Sequence, residues 1–137
     1  MILSSQQVVS IRRILNDSRT IAVVGLSPKP HRPSHQVARY LMEAGYTIIP
    51  VNPSHERILG LPCYPNLRAV PRPVDMVDIF RRQEEVLPIV EDAIAIGAKY
   101  IWMQEGIVNE EAAARAETAG LVVVMDRCTM VDHMNLL

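Results

Sequence analysis

The stretch that decides the fold is Thr20-Ile21-Ala22-Val23-Val24-Gly25-Leu26-Ser27-Pro28-Lys29-Pro30-His31-Arg32-Pro33-Ser34. Its first five residues form an apolar run that predicts a buried β-strand. Gly25 ends that run and permits a sharp turn, and a helical pattern of apolar residues begins at Ser34. Because a strand, a turn and a helix N-terminus in this order form an anion site, we interpret the turn as a phosphate-binding one.

The turn differs from the fingerprint of dinucleotide-binding proteins. That fingerprint needs a G-x-G-x-x-G string and, about 20 residues on, an acidic residue for the ribose hydroxyls. Here one glycine and several prolines replace the glycine string, and the second strand ends neutrally at Val51-Asn52-Pro53. The sequence therefore predicts an anionic, nucleotide-like ligand other than NAD.

Composition limits the possible classes of protein. The chain has 137 residues, of which 49% are hydrophobic and 21% charged, which is typical of one globular domain spanning 1–137. Its net charge of −1 gives no general field for nucleic acid or an anionic membrane, so any anion site must be local. The two cysteines, Cys63 and Cys128, are too far apart for a zinc motif, and we expect no metal site or disulfide framework.

The N-terminus lacks the basic flank and long apolar run of a signal peptide. No apolar run in the chain approaches the ~18 residues that span a bilayer. We therefore expect a cytoplasmic protein.

Apolar periodicity predicts alternating helices and strands. The expected helices cover residues 5–16, 34–44, 84–96 and 109–119, and the expected strands cover 20–24, 46–51, 74–80, 100–104 and 121–125. An N-terminal helical segment (1–18), an irregular piece after Pro53, a short turn at 67–70 and a packed tail (126–137) complete the chain. This alternation predicts a doubly wound α/β fold, with a five-stranded, mainly parallel sheet covered by helices on both faces. In such folds ligands bind at the carboxyl ends of the strands.

The candidate site begins in the first turn. Its candidate residues are Gly25, Ser27, Pro28, Lys29, Arg32, Pro33 and Ser34. Gly25 permits close approach, Ser27 offers a hydroxyl and an amide, and Ser34 starts the helix as its N-cap. Lys29 and Arg32 add positive charge. The alternative is a solvated surface loop that the prolines merely stiffen.

The other strand ends supply further candidates, each with a structural alternative. They are Asn52, Pro53, Phe80, Arg81, Arg82, Gln104, Gly106 and Arg127. Asn-Pro is also a common turn, the phenylalanine is also a core residue, and exposed arginines are usually only solvated. Trp102 is expected in the core, and Cys128 is either a core residue or a thiol near the mouth of the site.

Several of these segments, taken in order, carry a resemblance. They are Val24-Gly25-Leu26-Ser27, Arg32-Pro33-Ser34, Ile49-Pro50-Val51-Asn52-Pro53, Val77-Asp78-Ile79-Phe80-Arg81-Arg82, Gly97-Ala98, Trp102-Met103-Gln104-Glu105-Gly106-Ile107 and Met125-Asp126-Arg127-Cys128. Over residues 19–133 the chain resembles the small stand-alone coenzyme A-binding proteins, whose Rossmann-like fold is that of the N-terminal domain of the succinyl-CoA synthetase α subunit. The resemblance implies coenzyme A across the strand ends, with its phosphates at the first turn and its adenine side toward the loop after the third strand.

Three functional hypotheses follow. The first is non-catalytic binding of coenzyme A or an acyl-CoA, since the resemblance does not extend to the domain that carries the synthetases' phosphorylated histidine. The second is a small acyl-CoA or nucleotide-processing transferase. The third is a redox or NADP-type protein with Arg32 on a 2′-phosphate. A protein partner or a homo-oligomer is compatible with each of them.

Overall fold

The computed structural model describes residues 3–137 and contains five helices and seven strands within them. The helices are α1 Ser5–Asp17, α2 Pro33–Glu43, α3 Val86–Ala95, α4 Glu110–Thr118 and α5 Thr129–Leu136. The strands are β1 Thr20–Val24, β2 Thr47–Val51, β3 Arg57–Ile58, β4 Leu61–Pro62, β5 Met76–Ile79, β6 Tyr100–Met103 and β7 Val122–Val124. Short 3-10 helices cover Leu67–Ala69 and Gln83–Glu85.

Five strands form one parallel sheet in the order β2-β1-β5-β6-β7. The chain moves from β1 to β2 on one side and then returns to β5 on the other, so strand order reverses between β1 and β5. Val24 is paired with Ile79 at this point, which brings the segments after the two strands together. The predicted doubly wound, Rossmann-like fold is confirmed.

Side chains that alternate along the strands build a core on each face of the sheet. On β5, Val77 and Ile79 pack into the cluster beneath α3 and α4, and Met76 packs into the cluster beneath α1 and α2. Trp102 belongs to the second cluster and is fully buried, as expected, with its Nε1 donating to the carbonyl of Arg127 at 2.7 Å. No helix in residues 3–137 has the length and apolar character needed to cross a membrane.

The start of α2 differs from the sequence-based expectation. The helix begins at Pro33, and Arg32 occupies the N-cap position without a side-chain bond to the helix. Ser34, expected as the N-cap, instead accepts the amide of Ser27 at 3.0 Å. The reason is that proline suits the first helical position, having a fixed φ and no amide hydrogen to satisfy.

Two other regions contain structure that periodicity did not reveal. The irregular piece after Pro53 includes the β3–β4 hairpin, whose strands have only two residues each. The segment 126–137, expected as a packed tail, contains α5, which contacts α1 and α2. An eight-residue helix spans little more than two turns, which is too short for its apolar period to be recognised.

Candidate functional site

Three adjoining clefts lie at the carboxyl ends of the strands, around the point where strand order reverses. The central cleft, of about 530 Å³, unites ten predicted residues: Gly25, Ser27, Pro28, Lys29, Arg32, Pro33, Ser34, Asn52, Phe80 and Arg81. It also contains Ser54 and His55, which the sequence analysis did not single out. Their position two and three residues after Asn52, beyond the same strand end, was the available signal.

Gly25 closes the sheet end tightly. Its φ of +88° lies in the region that favours glycine, and its amide donates to the carbonyl of Val51 at 2.9 Å. A Cβ at this position would lie 2.5 Å from the carbonyl oxygen of Phe80. The glycine therefore lets three strand ends meet at the floor of the central cleft.

The loop after Gly25 is held by its own hydrogen bonds. The Ser27 amide donates to Ser34 Oγ at 3.0 Å, and the Lys29 amide donates to Ser27 Oγ at 3.1 Å. Buried His35 lies with Nδ1 2.9 Å from the carbonyl oxygen of Ser27, and because a carbonyl only accepts, Nδ1 carries the proton. The Ser27 amide is thus bonded within the loop, whereas the Ser27 hydroxyl accepts a bond and still has its proton to donate to a ligand.

The N-terminus of α2 faces the same cleft with fewer free amides than the sequence suggested. Pro33 has none, and the amides of His35 and Gln36 both donate to the carbonyl of Arg32. The amide of Ser34 has no acceptor within residues 3–137. One backbone donor, the helix dipole and the exposed cations of Lys29 and Arg32 therefore converge on this cleft, a combination that suits a phosphate group.

Asn52 joins the loops after β1 and β2. Its Nδ2 donates to the carbonyl of Leu26 at 3.0 Å, and its Oδ1 accepts the amide of Ser54 at 2.9 Å. Each end of the side chain thus makes one bond to a loop, and the second Nδ2 hydrogen remains for a ligand in the central cleft. Pro53 lies on the second cleft, next to the central one.

The second cleft, called here the proline cleft, has a volume of about 380 Å³. It is bounded by Pro53, Pro65 and Pro88 together with the polar residues Asn66 and Asp92. Its walls come from the loop after β2 and the first turn of α3. Arg81, Glu84 and Glu85 also border it, so the apolar proline walls meet charged groups at the edge of the cleft.

Arg81 borders all three clefts. Its guanidinium forms a two-point ion pair with Glu85, at 2.7 Å from NH2 to Oε1 and 3.2 Å from Nε to Oε2. These bonds hold the pKa of Glu85 below its usual value. Arg82 is more exposed and lies 3.5 Å from Glu84. Arg81 is the arginine of the pair that lines the central cleft, and it is already partnered there.

The third cleft, called here the aliphatic cleft, has a volume of about 600 Å³ and lies on the α2 and α5 side. Gln104, from the end of β6, lies on its wall although the residue is only 4% exposed. Gln104 Oε1 accepts the Thr129 amide at 3.2 Å and lies 2.9 Å from Thr129 Oγ1. Cys128 is partly buried and also lines this cleft.

A buried carboxyl group lies behind Gln104. Asp78 is fully buried, and burial raises its pKa to about 8. Its Oδ2 lies 2.9 Å from Thr129 Oγ1, whereas its Oδ1 has no partner. A hydroxyl has one proton, yet Thr129 Oγ1 faces two oxygens. A neutral Asp78 resolves this conflict, because it donates to Thr129, which then donates to Gln104.

Two predicted residues, Gly106 and Arg127, line none of the three clefts described above. The amide of Gly106 donates to Asp126 Oδ1 at 2.6 Å. The guanidinium of Arg127 donates twice to Asp132, at 2.6 and 2.7 Å, and these bonds raise its pKa. Both residues therefore stabilise the segment that leads into α5.

With this geometry established, comparison with known proteins identifies the family. The profile of the CoA binding domain family matches residues 19–134, which is most of the chain. The chain belongs to this family. The uncharacterized protein YneT of Bacillus subtilis is 42% identical over 123 residues, which cover 90% of this chain and 91% of YneT.

Other relatives connect the family to larger enzymes. Acetate–CoA ligase [ADP-forming] I of Archaeoglobus fulgidus is 28% identical over 120 residues, or 80% of this chain and 18% of the ligase. Among solved structures, a hypothetical protein from Pyrococcus horikoshii OT3 superposes with a TM-score of 0.94 at 40% identity, covering 99% of both chains. The dinucleotide forming acetyl-coenzyme A synthetase 1 of Ca. Korarchaeum cryptofilum, in complex with phosphate and ADP, gives 0.71 at 30% identity, covering 83% of this chain and 26% of the synthetase.

Proposed function

We propose that the chain binds coenzyme A or an acyl-CoA without catalysing its conversion, with the pyrophosphate in the central cleft, and that it does so in the cytoplasm. Family membership supports the ligand class. The observation that carries the proposal is the convergence of a free helix amide at Ser34, the Ser27 hydroxyl and the cations of Lys29 and Arg32 on one cleft.

The charge and hydrogen-bonding groups of the ligand suit the adjoining clefts. A pyrophosphate carries negative charge, and charge-assisted hydrogen bonds contribute roughly 1.5–3 kcal/mol each. The proline cleft suits the adenine ring, since the exocyclic amine of the ring has an acceptor in Asp92 Oδ2 between the proline walls. Asp92 Oδ1 already accepts from Arg68, and Asn66 Oδ1 from the Ala69 amide. This assignment agrees with the adenine position expected after the third strand of the main sheet, because Glu84 and Glu85 follow β5 and border that cleft.

The polar contacts of the central cleft favour binding over covalent chemistry. The hydroxyls of Ser27 and Ser34 both accept backbone amides in the loop, and neither is hydrogen-bonded to a histidine side chain. A nucleophilic serine requires a base within hydrogen-bond reach. These hydroxyls are instead suited to hold the loop and to donate to a bound anion.

Isothermal titration calorimetry of the whole chain with coenzyme A tests the proposal. We expect a dissociation constant in the micromolar range, about −8 kcal/mol, and a rise in melting temperature with ligand concentration. NAD should bind much more weakly, because Asn52 stands where an acidic ribose partner would be required. Absence of both heat and a melting shift at millimolar coenzyme A would overturn the proposal.

An arginine variant localises the site. Arg32→Ala should weaken coenzyme A binding by about 10- to 100-fold through loss of a charge-assisted contact, with little change in the melting temperature of the free protein. Arg72→Ala is the matched control, because Arg72 is also an exposed loop arginine and borders none of the three clefts. Equal affinities of the two variants would mean that the phosphates bind elsewhere.

A further inference from the structure

The aliphatic cleft is lined mainly by apolar side chains, with Arg81, Arg82 and Glu105 also at its border, and Gln104 adds an oriented hydrogen-bond donor; this combination points to a ligand class. We propose that it holds the acyl-pantetheine arm of an acyl-CoA thioester, with Gln104 Nε2 donating to a carbonyl oxygen of that arm. The inference rests on the proposed function and deepens it, because it makes a thioester with an aliphatic chain, rather than free coenzyme A, the preferred ligand.

The aliphatic cleft is continuous with the central cleft. Pro33, Phe80 and Arg81 border both, so a ligand whose phosphates lie beside Ser34 has a direct path between them. The volume of about 600 Å³ is the largest of the three clefts at the strand ends. A long arm that leaves the pyrophosphate on the α2 side therefore enters this cleft.

The walls favour an aliphatic occupant. Ile107, Met130 and Val131 border the cleft, and Val131 is 43% exposed without a ligand. Covering these side chains with methylene groups removes apolar surface from water on both partners. Methionine is flexible and polarizable, so Met130 adapts to chains of different length.

The proline cleft is the less favourable location for such a chain. Three carboxylate residues border it, namely Glu84, Glu85 and Asp92, whereas one, Glu105, borders the aliphatic cleft. An aliphatic chain beside them would displace water from charged groups without replacing its hydrogen bonds, which is costly. An adenine ring offers them N–H donors, so the two ends of the ligand are sorted between the clefts by their chemistry.

Gln104 is oriented by groups that the ligand does not touch. Its Oε1 is engaged by both the amide and the hydroxyl of Thr129. The other end of the side-chain amide, Nε2, has no acceptor within residues 3–137 and is not among the buried unpartnered atoms, so it is accessible from the cleft. Asp78 supports this orientation from behind through Thr129. Gln104 therefore presents a donor, which matches the carbonyl oxygens of pantetheine and of a thioester.

The test compares coenzyme A with acetyl-, butyryl- and octanoyl-CoA by calorimetry. We expect affinity to rise with chain length, with octanoyl-CoA binding about ten-fold more tightly than coenzyme A, the gain that burial of about two methylene groups produces. If coenzyme A binds but affinity stays constant or falls as the acyl chain lengthens, this inference is overturned and the proposed function remains intact. No binding of any of these ligands would overturn the proposed function itself.

A matched pair of valine variants assigns the gain to this cleft. Val131→Asp introduces a charge into the aliphatic cleft and should abolish the gain in affinity with chain length. Val9→Asp makes the same change on α1, where Val9 is 65% exposed and borders none of the three clefts at the strand ends, and it should preserve the gain. A gain that survives in Val131→Asp would show that the acyl chain binds elsewhere.

Discussion

Replacing Asp78 by asparagine should stabilise the protein at neutral pH, by an amount that grows with pH. The pKa of Asp78 is raised from 3.8 to about 8 because the carboxyl group is fully buried, and no charged partner offsets the cost. Between these two values the folded state retains a proton that the unfolded state has lost. Folding stability therefore falls as pH rises through this window, by about 1.4 kcal/mol per pH unit.

The magnitude follows from the width of the window. At pH 7 the raised pKa lowers the free energy of unfolding of wild type by about 4 kcal/mol at most. Above about pH 8 this loss of stability becomes constant, because Asp78 then ionises in the folded state as well. Asparagine has nearly the same shape and does not ionise. Its Nδ2 donates to Thr129 Oγ1 as the neutral acid does, so the bond between Thr129 and Gln104 is preserved. The second Nδ2 hydrogen is buried without an acceptor in the described part of the chain, and its cost lowers the gain by the same amount at every pH.

Urea denaturation followed by circular dichroism at pH 5, 7 and 9 measures the effect as the difference between Asp78→Asn and wild type. The difference should increase from pH 5 to pH 7 and change little beyond pH 8. Asp92→Asn is the control, since that carboxylate is partly exposed and paired with Arg68 at 2.7 Å, and its loss should cost less than about 1 kcal/mol. A pH-independent difference for Asp78→Asn would refute the argument that a neutral acid lies behind the cleft.

Two further predictions concern the centre of the site. Gly25→Ala should destabilise the free protein by about 1–3 kcal/mol in urea denaturation, and by more than Gly60→Ala does. Both glycines have positive φ, but of the two only Gly25 has backbone atoms within 4 Å of the added methyl group. Equal losses of stability in the two variants would mean that the strand ends adjust freely. Glu85→Gln should tighten coenzyme A binding about two- to five-fold in calorimetry by releasing Arg81 to the ligand anion. Glu91→Gln should not, because Glu91 is paired with Arg115 and neither residue borders the three clefts. Weaker binding of Glu85→Gln would mean that the ion pair positions the arginine instead.

The sequence predicted the sheet and the general location of the site well, because both depend on features with long-range consequences. Apolar runs such as Thr20–Val24 are buried on both faces of a parallel sheet, so they predict strands of the sheet without knowledge of individual side-chain contacts. Once the strands were known, topology brought Gly25, Asn52 and Phe80 to one edge, and the central cleft contains all three.

What the sequence did not predict depends on contacts between distant or competing groups. Ser34 was expected as the N-cap, but the proline before it occupies the first helical position, and the serine hydroxyl accepts the Ser27 amide instead. Asp78 received no role of its own from the sequence, and only its contact with Thr129, 51 residues later, gives it one. The spacing of four residues between Arg81 and Glu85 is compatible with an ion pair. The sequence alone, however, does not show whether Arg81 binds this carboxylate or faces a ligand, and the structure shows the ion pair.

The internally bonded loop after Gly25 has a consequence for the thermodynamics of recognition. Pro28, Pro30 and Pro33 restrict the backbone, and the hydrogen bond between the Ser27 amide and Ser34 Oγ forms before any ligand binds. The conformational entropy of this loop is therefore lost when the chain folds and not when a ligand binds. The proposed ligand would therefore bind this loop at a lower entropic cost than a flexible loop with the same contacts.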